Sequence, residues 1–507
     1  MNKQDWNAMS ESDLDALLTA SVSEPPPDDV IRAVTPWRRA MNRVLTGMAL
    51  STITLNFWAL NYILPAVGVL LSLLGFRALR RENGWFRGCW ILTLVRTVSD
   101  LFTMCLLATI FHSAVQDFPA FRVWNAIHLL AIFLQLFFLW RGFHAVQRKA
   151  GLPAHAGGAA ALPVWYAVVG ALALLEYSGL LLLLPMLAAY ALILRSLVQL
   201  SRELDEAGYA VEAAPVRLSD RAVRRVFLVL AALGLLSGFL FGGRYPMDWQ
   251  PADASTSAEA ARVKAHLAGL GFPEDVLADL TDEEILACDG ALRVRVTTDD
   301  HAVNDGRQVA TTSGNSTHVR TVYDVRELRI TSVGVELPGA RERWRIFHHF
   351  RWVADPGCRG TEAIQLWPAY QQPNEGWAAD GGVTGRVLYD ADGMTYAAPY
   401  YSLDSVTYTA DSILWGEQTS TDVFAAFSLP RRGENCRGYL AYSIEELQDS
   451  WIINAWINYT HQTSRVQYPV QTAMEHRMTG GWNHTGPFRT VQDALQFYPF
   501  EDDAAPF

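Results

Sequence analysis

Two opposite charges, Arg96 and Asp100, stand four residues apart inside the apolar run Cys89 to Phe111. A helix places residues i and i+4 on one face, so the two can share a contact. That contact offsets much of the about 2.5–3.5 kcal/mol that a charge costs at a bilayer centre on insertion scales. Such residues face a bundle interior or a watery cavity, which leaves two readings: a structural ion pair that locks helix packing, or groups lining a substrate or proton path. His128 and Gln135 lie seven residues apart in the next apolar run and also share a face. Either they extend a polar seam toward Arg96 and Asp100, or they make interhelical hydrogen bonds worth about 0.6 kcal/mol each.

The C-terminal half offers candidates of another kind. In Arg343 to Trp352, residues Trp344, Ile346, His348, Phe350 and Trp352 point one way as core. Arg345, Phe347, His349 and Arg351 point the other way, as a solvated or ligand-binding face. His348 and His349 therefore face opposite sides and cannot both ligate one metal. Trp377 sits in the polar, turn-rich stretch Gln371 to Gly382, where an exposed ring can stack on a sugar or fill a partner's pocket. Asp390-Ala391-Asp392-Gly393 resembles the start of a calcium loop but lacks the later acidic ligand, and reads as a hairpin turn. No nucleophile motif such as Gly-x-Ser-x-Gly occurs, so no catalytic residue, metal ligand or cofactor is assigned. Cys358 and Cys436, each followed by Arg-Gly, are a candidate disulfide pair for an oxidising exterior, leaving Cys288 unpaired. Asn315, Asn458 and Asn483 occupy glycosylation sequons, which matter only in a secretory-pathway host.

The elements that position these residues follow from hydropathy. Val44 to Phe76, at 1.5 Å per residue, would reach roughly 50 Å and is too long for one crossing. It reads as a hairpin turning near Asn61 and Pro65. Cys89 to Phe111 and Val123 to Phe143 fit one helix each. Val164 to Leu194 again reads as two, turning at Glu176-Tyr177-Ser178-Gly179, and Val226 to Phe241 is the last. With about seven crossings, the arginine clusters around Arg43, Arg77 to Arg87, Arg141 to Lys149 and Arg195 to Arg225 all fall on one side. The positive-inside rule makes that side cytoplasmic. The first run begins after about forty polar residues, too late for a cleavable signal peptide, and reads as a signal anchor.

Four segments result. Residues 1–43 form a cytoplasmic N-terminal tail with a stiff acidic spacer, Glu24 to Asp29, and a short Leu14-Leu17-Leu18 helix that is either a docking peptide or loosely ordered. Residues 44–243 form an α-helical membrane bundle. Residues 244–290 form a small juxtamembrane helical unit, where Thr281 and Glu284 have capping-box spacing. Residues 291–507 form an extracytoplasmic, mainly-β domain. Nine strands are delimited in it: Leu328 to Leu337, Arg343 to Val353, Glu362 to Tyr370, Gly385 to Tyr389, Thr395 to Pro399, Ser405 to Thr409, Asp422 to Ser428, Gly438 to Ile444 and Ile452 to Tyr459. Without intervening helices they argue for an antiparallel sandwich or jelly roll.

Composition bounds the function. The 507 residues carry a formal net charge of −11 and a mean hydropathy of +0.08, an average of two opposite halves. No strongly basic domain appears, which argues against nucleic-acid binding. Asn61-Tyr62-Ile63-Leu64-Pro65, Leu74-Gly75-Phe76-Arg77 and Leu79-Arg80-Arg81-Glu82-Asn83 resemble uncharacterised multi-pass membrane proteins of Gram-positive bacteria. Thr35-Pro36-Trp37-Arg38-Arg39, Ala207-Gly208-Tyr209, Ala214-Pro215-Val216 and Leu270-Gly271-Phe272-Pro273 add to the resemblance. It implies a bacterial cell membrane and no known activity. The expectation is a non-enzymatic protein in the lipid bilayer whose outer domain senses or binds an envelope glycan or protein partner. The alternative is a transporter or export accessory using Arg96, Asp100, His128 and Gln135.

Overall fold

The computed structural model describes residues 36–52, 60–175, 180–211, 218–252, 256–313, 316–372, 375–412, 416–447, 452–479 and 486–499. The chain divides into two compact units, one of Met1–Leu106 with His112–Leu236, the other of Leu107–Phe111 with Ser237–Phe507.

The first unit is helical: α1 (Pro36–Thr52), α2 (Leu60–Leu79), α3 (Gly84–Leu106), α4 (His112–Asp117), α5 (Pro119–Lys149), α6 (Gly157–Leu174), α7 (Leu180–Glu206) and most of α8 (Asp220–Phe241). Among the described residues, six helices are long and apolar enough to cross a membrane, namely α2, α3, α5, α6, Leu182–Glu206 of α7, and α8. The chain is thus built as a multi-pass membrane protein. The 17-residue α1 is shorter than these. The expected hairpin exists as α1 and α2, but its turn is not at Asn61 or Pro65, which lie inside α2. Pro65 is the sixth residue of that helix, so it forgoes the one ladder bond that its N–H would make to the Asn61 carbonyl. Residues 53–59, between α1 and α2, lie outside the described residues, as does the expected turn at Glu176 to Gly179.

Lipid tails are as apolar as leucine, so helices in a bilayer associate by close packing of small residues more than by hydrophobic burial. Here α1 presents Ala40, Val44, Gly47 and Ser51 to Gly68, Ser72 and Gly75 of α2. A Cβ on Gly68 would stand 2.5 Å from the Gly47 carbonyl oxygen. At one end of this pair Trp37 is fully buried, edge-on to Tyr209 at 5.5 Å and to Phe143 at 6.3 Å. Its Nε1–H donates to the Ser201 carbonyl at 3.3 Å. Asp220, in the first turn of α8, receives Arg43 at 2.7 Å and Arg77 at 3.8 Å, so arginines from two of the sequence clusters meet one carboxylate. Leucines such as Leu130, Leu184 and Leu228 stay exposed on the outer faces, as lipid contact requires.

The second unit opens with β1 (Gln250–Pro251) and the helices α9 (Ala258–Gly269), α10 (Glu274–Asp279) and α11 (Asp282–Leu286). The Thr281–Glu284 capping box is present at the start of α11. Strands follow: β2 (Arg293–His301), β3 (Arg307–Ser313), β4 (Ser316–Val322), β5 (Leu328–Leu337), β6 (Arg343–Trp352), β7 (Thr361–Gln372), β8 (Glu375–Ala391), β9 (Met394–Ala398), β10 (Ser402–Ser412), β11 (Gly416–Ser428), β12 (Glu434–Glu446), β13 (Ile453–Gln462) and, after α12 (Ala473–Met478), β14 (Phe488–Phe497). All their described pairings are antiparallel. One ladder runs β2-β5-β6-β12-β8-β9-β1 and another β10-β11-β7-β13-β14, joined where Gln371 of β7 meets Gly376 of β8. The β8/β9 turn is the expected hairpin, with Asp392 (φ 51°) and Gly393 (φ 75°) both left-handed, as a type I′ turn needs.

One apolar core takes Ile330, Trp344, Phe350 and Leu440 from the first ladder and Ile364, Val423, Phe427 and Tyr459 from the second. The opposite face of the first ladder is buried too. Phe347, Val333, Tyr439 and Ala441 pack there against Val263, Phe272, Val276 and Ile285 of the helical segment. Gly68→Leu should force α1 from α2 and destabilise the helical unit by about 1–3 kcal/mol or more. Gly170→Leu, at a position open to its surroundings, is the control. Thermal loss of monodisperse protein in detergent measures both, and equal midpoints would contradict the packing argument.

Candidate functional site

The helical unit brings the four intramembrane candidates together. Arg96 and Asp100 of α3 form the expected pair, Nε to Oδ2 at 3.6 Å. Arg96, His128 and Gln135 line one cavity with Ser99, Trp124 and Ile132. Arg96 and Gln135 line its neighbour with Ser51, Ser72, Thr93 and Tyr166. Only about 50 Å³ and 20 Å³ of these spaces admit the centre of a water molecule, enough for a few waters and about one, respectively. Hydroxyls absent from the sequence reading complete the seam. Thr52 Oγ1 and the Tyr166 hydroxyl lie 2.6 Å apart, and the Tyr190 hydroxyl donates to Thr52 Oγ1 at 2.9 Å and to the Met48 carbonyl at 3.1 Å. Thr93 and Thr97 donate back along α3 to the carbonyls of Cys89 and Thr93. This arrangement can hold water and tie α1, α3, α5, α6 and α7 by polar contacts.

The ligand-face candidates of the sheet unit are placed otherwise than expected. Trp377 is only 5 % exposed and belongs to the core, because β8 extends back through the stretch that reads as a polar loop. The face of β6 bearing Arg345, His349 and Arg351 is not a solvated surface, since the helical segment lies over it. His349 is buried with its Nε2 2.9 Å from Asp279 Oδ2. Arg351 donates to Asn435 Oδ1 at 2.7 Å and reaches Asp275 at 3.4 Å. Arg345 donates to Ser443 and Thr384 hydroxyls, both at 3.3 Å. The alternation of strand residues was sound; what covers the second face is a long-range matter.

Asp279 is the centre of that cover. Arg437 Nε donates to both its oxygens, at 2.8 and 2.9 Å, and Arg386 Nη2 donates to its backbone carbonyl at 2.8 Å. Burial pushes the carboxyl's pKa up, but His349 and Arg437 outweigh it and hold the group below the usual carboxylate range. Arg437 Nη1 goes on to Asp390 at 2.9 Å, where Asn435 and Thr395 also donate. A second enclosed pair joins Glu362 and His461 Nδ1 at 2.8 Å, with His461 Nε2 3.1 Å from the Pro356 carbonyl oxygen. Burial pushes Glu362 upward against the pull of His461. Cys358 and Cys436 are free thiols, and burial raises both, Cys436 to about 11. No group of three or more His, Cys, Asp or Glu side chains among the described residues could hold a metal ion.

One open site escaped the sequence reading. A depression of about 700 Å³ is lined by Trp352 to Gly357, Arg359, Arg431 to Cys436, and Arg465. Four arginines there face two carboxylates, Asp355 and Glu434. Arg431, Arg432 and Arg465 are exposed, while Arg359 donates to the Pro430 carbonyl at 3.3 Å and stands 3.7 Å from Asp355. Arg431 donates to the Leu240 carbonyl at 3.3 Å. Beside them Arg244 donates to the Leu429 carbonyl, and its Nη1 is buried without a hydrogen-bond partner. Burial, with Arg431, Arg465 and Arg359 nearby, lowers the Arg244 pKa to about 10. The available signal was Pro430-Arg431-Arg432-Gly433, a doubly charged turn between two strands.

Compared with known proteins, the chain matches no family model and no curated protein.

Two variants test the buried charges. Asp279→Ala should cost about 3–5 kcal/mol, because the buried Arg437 Nε and His349 lose their shared carboxylate and Arg437 keeps only Asp390. It should speed hydrogen exchange in α9 to α11. Asp289→Ala, which breaks an exposed pair with Arg262, should change little. In the seam, Arg96→Leu alone should destabilise the helices, whereas Arg96→Leu with Asp100→Leu should restore them to near wild type. A double variant as unstable as the single one would rule out a purely structural pair.

Proposed function

We propose that this chain is a multi-pass cell-membrane protein whose sheet unit stands outside the cytoplasm and binds or senses an envelope component, a glycan or a partner protein. The helices are its anchor and its route for signal. In this reading α1 is a seventh crossing, packed along α2, and the N-terminus is cytoplasmic. The meeting of Arg43 and Arg77 at Asp220 supports gathering the arginine clusters on one side. The likeness to multi-pass proteins of Gram-positive bacteria supports a bacterial plasma membrane. Two ladders sharing one apolar core support a sandwich-like β domain.

The observation that carries the binding role is a contrast in space. The sheet unit offers an open, charged depression of about 700 Å³, while the seam cavities admit only water. The transporter reading keeps one supporting fact, the convergence of Arg96, His128 and Gln135 on adjoining cavities, and it requires a wider state of the helices.

Protease added to intact cells should remove a C-terminal tag, and the tag should survive in right-side-out vesicles without protease. Cleavage confined to inside-out vesicles would reverse the orientation. Full-length protein in nanodiscs should also show saturable binding to at least one cell-wall glycan or envelope protein. A screen of both classes with no saturable partner would sink the role.

A further inference from the structure

We infer that the arginine-lined depression of the sheet unit receives the phosphate of an anionic lipid headgroup. This rests on the reading of that unit as a binding module and names its ligand. Guanidinium groups pair phosphate through forked, charge-assisted hydrogen bonds, and arginine is the side chain best suited to it. Here Arg359, Arg431, Arg432 and Arg465 gather at one concavity on a chain whose net charge is −11. Asp355 is already turned to Arg359, which leaves the exposed guanidiniums of Arg431, Arg432 and Arg465 opposed in the lining by Glu434 alone.

Position selects a lipid over a soluble phosphate. Arg431 is hydrogen-bonded to the last turn of α8 at the Leu240 carbonyl, so the depression begins where the apolar helix ends. Leu240 and Phe241 leave 56 % and 74 % of their surface exposed there. Tyr245 and Tyr401 stack at 4.5 Å just beyond, the kind of aromatic pair that sits at headgroup level. Val466, next to Arg465, is 86 % exposed, and Val353 in the lining is 46 % exposed. Cations beside exposed aliphatic side chains fit a phosphate that carries acyl chains. They fit a free anion poorly.

The test uses the full chain in nanodiscs of phosphatidylcholine doped with phosphatidylglycerol, with retained lipid counted by native mass spectrometry. Wild type should retain phosphatidylglycerol selectively. Arg431→Gln, Arg432→Gln and Arg465→Gln together should lower that retention about tenfold or more, since each removes a cation that attracts the anionic headgroup. The same charge change at the exposed Arg307, Arg320 and Arg326 should leave it unchanged, with equal melting temperatures for both triple variants. Inorganic phosphate should not displace the lipid. Equal retention in the two triple variants, or no preference over phosphatidylcholine, would overturn the site; displacement by inorganic phosphate would overturn the lipid as its source. Nanodiscs expose both leaflets, so the result is independent of orientation. A cytoplasmic sheet unit would defeat the proposed side and leave this measurement standing, whereas lost selectivity with an outer sheet unit would defeat only the ligand.

Discussion

A carboxylate that folding takes out of water must be given its counter-charges by the fold, and in the sheet unit Asp279 sets that demand. Its carboxylate is met from two strands, by Arg437 of β12 and His349 of β6, while Arg386 of β8 donates to its backbone carbonyl. They converge only in the observed register, in which Arg437 lies opposite Arg351 and Tyr439 opposite His349. A one-residue slip would turn every side chain of a strand to the other face and leave the carboxylate among apolar groups. Pairs of this kind add little net stability, because desolvation consumes the Coulombic gain, but they penalise every wrong alternative. The apolar contacts of Phe272, Val276 and Ile285 with Phe347 and Tyr439 supply the attraction, and Asp279 decides where it is satisfied.

The helical unit meets the same demand in a different solvent. In lipid, burial of leucine against leucine gains little, so specificity passes to shape and to the few polar groups. Gly47 and Gly68 let α1 and α2 approach until any side chain would clash. Arg96 and Asp100 answer each other along one helix, and the Thr52, Tyr166 and Tyr190 hydroxyls form a chain between three others. The polar groups within the bundle are thus mostly tied to one another or to backbone carbonyls, which is the condition for a helix bundle to survive without water.

What could be read from the sequence was mainly local. Leu328–Leu337 is strand β5 with the expected bounds, since its β-branched run and alternation need no partner to be recognised. The Asp392-Gly393 turn and the Thr281 capping box were equally legible, because each is decided within four residues. Strand β2, with Arg293, Arg295, Asp299 and Asp300 in nine residues, and the β3/β4 hairpin went undelimited, because edge strands carry charge in place of an apolar stripe. The burial of Trp377 was hidden for a similar reason. Polar and glycine neighbours suggested a loop, yet pairing of β8 with β12 through Trp377 and Glu446 carries the ring into the core. The seam was legible in its members and not in its volume. Of the arginine depression only the Pro430-Arg431-Arg432-Gly433 turn carries a local signal; the rest is assembled from three separate stretches that only the sheet topology joins.

The two arginine sites therefore differ in a way that bears on function. Arg96 has a carboxylate four residues away on its own helix and room beside it for water, so its charge is answered before any ligand arrives. The depression holds more guanidiniums than carboxylates, and burial, with Arg431, Arg465 and Arg359 nearby, lowers the pKa of the adjoining Arg244. Like charges held together by a rigid turn and two strand ends raise the free energy of the empty site, and an anion that neutralises them recovers that energy on binding. A protein gains nothing in stability from such a cluster. Its excess of positive charge over Asp355 and Glu434 lies beside the end of an apolar helix, and the lipid phosphate we propose there would supply the missing sign.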